Sequence, residues 1–310
     1  MKIAILHHDD CDGQGAAYAA HCGLSANHEL LFKAVQYGED PPYDELRAFR
    51  PQQVYILDFS YKSNVLKDLM AEFSVVVIDH HKSAAEDLAD FPEVEVVTFH
   101  EQGGVQYPIF RGVRVFQENS GCVLAWLFFM PDTEVPEILL YAQDYDLWKF
   151  ELEHSKEINA FIQTLPFDFG EWRDFYTPGA YDAGKAILRF QQRQVESRLK
   201  GVELMRFGRG LETDGYCFYA AGDKHGEIVN LIAEVPCVNA SDNISVLGDA
   251  MCAAYPDAPF SMSYCDRPDG KRSYSLRSRN GFDVSEVAKA FGGGGHHAAA
   301  AFSLPSPPKF

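Results

Sequence analysis

Three short apolar runs in the first part of the chain each break off at an acid or a histidine: MKIAIL before His7-His8-Asp9-Asp10, VYIL before Asp58, and SVVVI before Asp79-His80-His81. The segments between them have helical patterns, with alanine-rich GQGAAYAAHCG and amphipathic VLKDLMAEF. Strands that are apolar on both faces and alternate with helices specify a parallel sheet covered on both sides. In such sheets ligands bind beyond the carboxyl ends of the strands. Acids and histidines spread at random would not fall repeatedly at that one edge. A fourth run, LLYAQDYDLWKF, reads as a further strand of the same kind. The expected class is α/β.

The chain has 310 residues, 46% of them hydrophobic and 13% aromatic, which is enough for two domains with packed cores. Residues 1–160 read as a parallel-sheet domain with helices on both faces. Residues 161–207 read as a helical linker: between Pro178 and Arg206, the side chains of Ile187, Phe190, Leu199 and Val202 share one face, while Gln and Arg crowd the other. Residues 208–304 read as a smaller mixed α/β C-terminal domain. In it GLETDGYCFYAAG and FSMSYCDRPDGKRSYSLRSR are strands, the second a hairpin turning at Pro268-Asp269-Gly270. FDVSEVAKAF reads as a helix capped by Asp283 or Ser285, running into Gly292-Gly293-Gly294-Gly295-His296-His297. The Pro-rich SLPSPPKF is expected to fray.

The net charge of −18, from 45 acidic and 27 basic residues, argues against a long grip on a nucleic-acid backbone, which calls for a basic face. A small nucleotide or short oligonucleotide fits better, with metal ions offsetting the acidic field where its phosphates bind. No apolar run reaches the roughly 18 residues that span a bilayer, so no membrane partner is expected. The N-terminus reads as a first strand rather than a leader. Seven cysteines without a C-x-x-C pair, among them Cys11, Cys122, Cys237 and Cys252 beside small or apolar residues, suit reduced thiols in the cytoplasm. The protein partner expected is a second copy of the chain, in a homodimer.

His8, Asp10 and Asp12 alternate, so in an extended segment they would point one way, with Gly13 letting the backbone turn beneath them. Asp58, Asp79, His80, His81 and Asp144 add carboxylates and imidazoles from neighbouring strand ends. Converging without partners, such groups would repel strongly. Divalent cations resolve this. A mixed carboxylate and imidazole shell suits Mn²⁺, with Co²⁺, Zn²⁺ and Mg²⁺ as competitors. The donors suffice for two ions that share a bridging carboxylate, the arrangement that hydrolyses phosphate esters in line. Each piece alone has a bland reading: a solvated turn, a helix cap, a chance Asp-His-His. Their order along the chain is what carries the case.

That order, His8-x-Asp10-x-Asp12-Gly13, then Asp58, then Asp79-His80-His81, then Asp144, resembles the motifs of the DHH phosphoesterases. Arg277-Ser278 followed by Gly292-Gly293-Gly294-Gly295-His296 and alanines is similar to the signature of the C-terminal domain associated with that family. The resemblance implies that His8 and Asp10 hold one metal, that Asp12, His80 and Asp144 hold the other, and that Asp58 bridges them. It implies that Asp79 sits behind, orienting His80 or a neighbour, and that His81 faces the substrate phosphate. Asp144 is chosen over Asp146 because its spacing to Trp148 matches the family's Asp-x-x-x-aromatic pattern. Arg277, Ser278, Gly293, Gly294, Gly295 and His296 would bind substrate, Arg277 by its planar fork and the glycines through close backbone approach. Two departures stand out. The short spacing from His8 to Asp10 is that of the RecJ-like branch rather than the nanoRNase branch, and Ala301 stands where the family commonly has Gly.

The leading functional expectation is an exoribonuclease of very short RNAs, or a phosphodiesterase of linear dinucleotides, releasing nucleoside 5′-monophosphates. A 3′-phosphoadenosine 5′-phosphate phosphatase, a cyclic-dinucleotide phosphodiesterase and a polyphosphatase are alternatives within the same family. A metal-binding regulator without turnover is the alternative from another class, and it would be expected to have lost a ligand. None is missing here.

Overall fold

The structure, a computed structural model, describes residues 1–116, 118–210, 216–220 and 228–305. The chain divides into two compact units, Met1–Leu188 and Arg189–Phe310. In the first unit β1 (Lys2–His8), α1 (Cys11–Leu24), β2 (Glu29–Val35), α2 (Tyr43–Phe49), β3 (Gln53–Leu57), α3 (Ser63–Glu72) and β4 (Val75–Asp79) alternate strand and helix. After α4 (Lys82–Asp87) come the hairpin strands β5 (Glu95–Gln102) and β6 (Val105–Val115). The helices α5 (Gly121–Phe129), α6 (Glu137–Asp146), α7 (Ser155–Ile162), α8 (Phe169–Arg173) and α9 (Thr177–Leu199) follow.

The strand order is β2-β1-β3-β4-β6-β5, parallel from β2 to β6 with β5 as an antiparallel edge. Alternate residues of each central strand face opposite cores, which is why the runs are apolar throughout. Ile3, Ile5, Tyr55, Leu57, Val76 and Ile78 pack with Ala16, Ala20, Trp126 and Leu139 from α1, α5 and α6. Leu6, Val54, Ile56, Val75 and Val77 pack on the other side with Leu46, Leu66 and Leu69 from α2 and α3. Each such buried aliphatic side chain contributes about 1.5–3 kcal/mol relative to exposure. Register keeps the strand ends level: His7 pairs with Leu57, and Leu57 with Ile78. The residues that follow therefore emerge at one edge.

Two expectations are corrected in this unit. LLYAQDYDLWKF lies mostly in the helix α6, not a strand, and that helix buries Ile138, Leu139, Tyr141 and Ala142. Residues 161–188 belong to the first unit rather than to a linker, because Ile162, Trp172 and Ala180 are buried in its core, with Trp172 beside Tyr18 of α1. The boundary between the units falls inside α9.

The second unit contains β7 (Glu203–Gly210), β8 (Tyr216–Ala220), β9 (Ile228–Asn239), α10 (Ile244–Ala254), β10 (Ser261–Asp266) and β11 (Lys271–Arg277). It ends with α11 (Val284–Ala290), β12 (Gly294–Gly295) and β13 (Ala299–Pro305). The sheet order is β12-β13-β11-β10-β9-β7-β8, with β9 and β10 parallel and the other neighbours antiparallel. The β10–β11 hairpin turns as expected, with Gly270 at φ +79°. Asp283 caps α11 by accepting from the Ser285 amide at 3.0 Å. Ser303–Pro305, expected to fray, instead pair with Lys271–Ser273. Residues 211–215 of GLETDGYCFYAAG, and 306–310 of the tail, lie outside the described residues. All seven cysteines are free, and no described helix is long and apolar enough to cross a membrane.

Candidate active site

At the carboxyl edge of the first sheet the chain leaves β1 at His8, caps α1 with Asp10 and enters its first turn at Asp12. The three do not share an extended segment, as alternation suggested; a strand, a cap and a helix turn bring them together instead. Gly13 makes this possible, since a Cβ there would lie 2.1 Å from the His8 carbonyl oxygen. Asp10 accepts from the Gly13 amide at 2.9 Å and lies 2.8 Å from His8 Nδ1. Asp12 is fully buried against the start of α5. It accepts from Ser120 Oγ at 2.6 Å, the Gly121 amide at 2.6 Å and the Cys122 amide at 3.2 Å. A helix N-terminus is a natural seat for a carboxylate.

Asp58 follows β3 with φ +61°, a left-handed conformation uncommon outside glycine. Its carboxylate meets His80 Nε2 at 3.1 Å, and the same imidazole nitrogen lies 3.6 Å from Asp12 and 3.4 Å from Asp146. Gly121 leaves space for it, because a Cβ there would sit 2.4 Å from Asp58 Oδ1. Asp79, at the end of β4, accepts from the His80 and His81 amides and from His81 Nδ1 at 2.7 Å. Of the two neighbours it could orient, it holds the ring of His81.

Asp146, rather than Asp144, faces this cluster. The Asp144 carboxylate turns away and accepts from the Glu151 and Leu152 amides at 2.9 and 3.4 Å. Residues two apart on a helix point about 200° apart, so only one of the pair can face the edge. We expect Asp146→Asn to weaken Mn²⁺ binding by roughly 10- to 100-fold. Asp144→Asn should leave affinity intact and cost roughly 1–3 kcal/mol of stability through its amide partners. Calorimetric titration and denaturant melts of both variants read the two effects separately.

The ligand atoms of His8, Asp10 and Asp58 lie within 4.8 Å of one another, and so do those of Asp12, Asp58 and His80. Asp58 belongs to both sets. Both of its carboxylate oxygens, and Asp146 Oδ2, are buried without a hydrogen bond from any described group. Burial first, then Asp12 and Asp10, push the carboxyls of Asp58 and Asp146 well above the ordinary range. A cation would relieve the cost of ionising these buried acids side by side. Paired oxygens crowded against imidazoles in a buried site fit hard or borderline divalent cations, and the donor set accommodates them.

Burial opposes charging of His8, but Asp10, by charge and hydrogen bond, outweighs it with help from Asp79 and Asp146 and raises the imidazole to about 8. A metal ligand must be neutral, so binding to the metal-free protein releases this proton. Affinity for a divalent cation should therefore fall as pH drops below about 8, by at least about tenfold per pH unit, because every proton held by the donor set must leave. Titrations in buffers of different ionisation enthalpy measure both the slope and the proton.

In the second unit Arg277 ends β11 and lies along α10, where Gly248 leaves room: a Cβ there would be 2.6 Å from Arg277 Cγ. Its guanidinium donates to Ser245 Oγ and to the Leu276 carbonyl, both at 2.8 Å. Ser278, expected to touch substrate, donates its hydroxyl to the Phe282 carbonyl at 2.6 Å and so holds the turn after β11. Gly293 is required by packing, since a Cβ would lie 2.0 Å from the Ala301 carbonyl oxygen, and Gly294 and Gly295 pair with Ala301 and Ala300. The His296 amide donates to the Ala299 carbonyl at 2.8 Å in the turn between β12 and β13. Sequence reasoning weighed Asp146 and passed it over for Asp144, and it missed Ser120, Gly121 and Gly248. Ser120-Gly121 before an apolar run was a legible helix-start signal.

Residues 253–310 match the model of the DHHA1 domain. The chain is 26% identical over 319 residues to the uncharacterized protein R106 of Acanthamoeba polyphaga mimivirus, covering 97% of this chain and 67% of that one. It is 23% identical over 321 residues to the oligoribonuclease NrnB of Bacillus subtilis, covering 97% and 72%. Among solved structures, the pGpG-specific phosphodiesterase PggH of Vibrio cholerae aligns with a TM-score of 0.42 at 11% identity, covering 98% of this chain and 94% of that one.

Proposed function

We propose, for a chain that belongs to the DHH family of metal-dependent phosphoesterases, that it hydrolyses very short oligoribonucleotides or linear dinucleotides to nucleoside 5′-monophosphates with two divalent cations, most readily Mn²⁺. The observation that carries this reading is the pair of donor sets sharing Asp58. His8 and Asp10 with Asp58 would hold one cation, and Asp12, His80 and Asp146 with Asp58 the other. Bound there, the cations supply a water activated at neutral pH and a clamp on the phosphate charge.

The protein's own groups do the rest. His81 is oriented through Nδ1 by Asp79, and its imidazole would donate to a phosphate oxygen or to the leaving 3′-oxygen. Asp79, engaged by two amides and His81, is held ionised well below the usual carboxylate range: burial opposes ionisation, and His81 outweighs it. Such a carboxylate steadies an imidazolium as the proton moves. Similarity to an oligoribonuclease supports the choice of substrate, as does the net charge of −18, which repels every phosphate left outside the site.

Purified protein with Mn²⁺ should cleave diribonucleotides faster than cyclic dinucleotides, 3′-phosphoadenosine 5′-phosphate or polyphosphate. A clear preference for one of the other three would replace the substrate and keep the centre. In a series from the dinucleotide to roughly ten nucleotides, kcat/KM should fall with length, and fall less at high salt. Arg277→Lys should raise KM by roughly tenfold despite keeping the charge, because an ammonium lacks the planar fork that holds phosphate. A flat length series with a silent Arg277→Lys would contradict the short-substrate reading.

A further inference from the structure

Just past β2, at the same sheet edge as the acids and imidazoles, the segment Gln36-Tyr37-Gly38-Glu39 forms a tight turn. The Glu39 amide donates to the Gln36 carbonyl at 3.1 Å, and the Gln36 amide donates to Glu39 Oε2 at 3.0 Å. Gly38 has φ +85° with nothing near its missing Cβ, so it serves backbone conformation rather than space. The turn is tied to the end of β1 twice: the Asp9 amide donates to the Val35 carbonyl at 3.2 Å, and Gln36 Nε2 donates to Asp9 Oδ2 at 3.3 Å.

This clamp presents Tyr37 over the site. Its ring meets His8 at 5.0 Å and 62°, His81 at 5.8 Å and 77°, and Phe59 at 6.4 Å and 87° between planes. All three contacts are edge-type, and no described ring lies parallel to it. The residue is nevertheless 40% exposed, in a sheet edge whose other aromatic neighbour, Phe59, is fully buried. An aromatic ring that touches the imidazoles of His8 and His81 and is open to solvent offers a stacking face beside the acidic cluster.

Resting on the phosphodiester reading above, we propose that Tyr37 is a specificity-determining residue that stacks a nucleobase of the substrate on its exposed ring. Stacking of this kind accepts any base, since every base has a π-face, and is worth roughly 1–3 kcal/mol, or about 5- to 150-fold in affinity. The clamped turn means that little freedom is lost when the base arrives. A polyphosphate or pyrophosphate would gain nothing from the ring. The substrate class named by this geometry is therefore a phosphodiester with a nucleoside next to the scissile bond.

The test compares wild type, Tyr37→Phe and Tyr37→Leu on a linear diribonucleotide and on its two singly abasic counterparts, with Mn²⁺. Tyr37→Leu should raise KM for the full dinucleotide by roughly 10- to 100-fold with kcat within a few-fold, and Tyr37→Phe should match wild type. One abasic substrate should show the same penalty with wild type and no further loss with Tyr37→Leu. An equal loss on all three substrates, chiefly in kcat, would make the ring a brace for His81 and overturn the proposal. Binding of AMP against ribose 5-phosphate, read by calorimetry, separates this proposal from the functional reading. If wild type cleaves no dinucleotide yet Tyr37→Leu weakens AMP alone, the function fails and the stacking site stands. If dinucleotides are cleaved and AMP binds both proteins equally, the stacking site fails alone.

Discussion

Asp58→Asn is expected to lower kcat/KM on a diribonucleotide by on the order of 10³-fold or more, because the proposed cations would supply several kcal/mol of charge stabilisation and would lose their shared carboxylate. The substitution keeps size and suits the left-handed backbone at φ +61°, which asparagine tolerates nearly as well as aspartate. What it removes is the acid common to both donor sets. The metal-free protein should respond in the opposite sense. Asp58 is buried among Asp12, Asp10 and Asp146, and these neighbours together with burial push its carboxyl upward. A group whose folded-state pKa is raised in this way destabilises the fold at any pH where it would be ionised in the unfolded chain. Metal-free Asp58→Asn should therefore melt above metal-free wild type near pH 7, and should lack the upward shift in Tm expected when Mn²⁺ is added to wild type. A variant with near wild-type turnover at saturating Mn²⁺ would remove Asp58 from the centre.

His81→Ala should lower kcat by roughly 10²- to 10⁴-fold while the bound metal stays, the range for loss of an acid–base or oxyanion partner. The geometry separates the adjacent histidines. His80 Nε2 faces three carboxylates between 3.1 and 3.6 Å, the surroundings of a ligand. His81 Nδ1 is instead committed to Asp79 at 2.7 Å. Asp79→Asn should accordingly lower kcat less than His81→Ala, because the ring loses its orientation but not its proton. Metal content measured on the same preparations decides the assignment. Parallel loss of metal and activity in His81→Ala would make His81 a ligand.

The sheet was legible because its strands are short, apolar on both faces and closed by polar residues, and runs of that length are too short for a buried helix. Asp58, Asp79, His80 and His81 could thus be placed at one edge from the sequence. The other end of the site was harder. His8, Asp10 and Asp12 were identified through an alternation that the backbone does not follow, since Asp10 and Asp12 cap and begin α1. Asp144 was preferred over Asp146 by linear spacing, but α6 rotates the two to opposite sides, and burial of Ile138, Leu139 and Tyr141 sets which side faces in. Trp172 and Ile162, read as linker, are core residues because the faces of α1 and α6 needed covering. Tyr37 could not be seen at all. Its position depends on a turn whose hydrogen bonds join the segments that follow β1 and β2.

The central claim is that this edge is a cation-dependent phosphodiesterase centre, and one measurement addresses it directly. Protein stripped of metal with chelator is incubated with a diribonucleotide, then resupplied with Mn²⁺, and the products are separated by chromatography. The account predicts no cleavage in the stripped protein, and nucleoside 5′-monophosphate appearing only once the ion is restored. Cleavage that persists in excess chelator, or no cleavage with Mn²⁺, Mg²⁺ or Co²⁺, would contradict it.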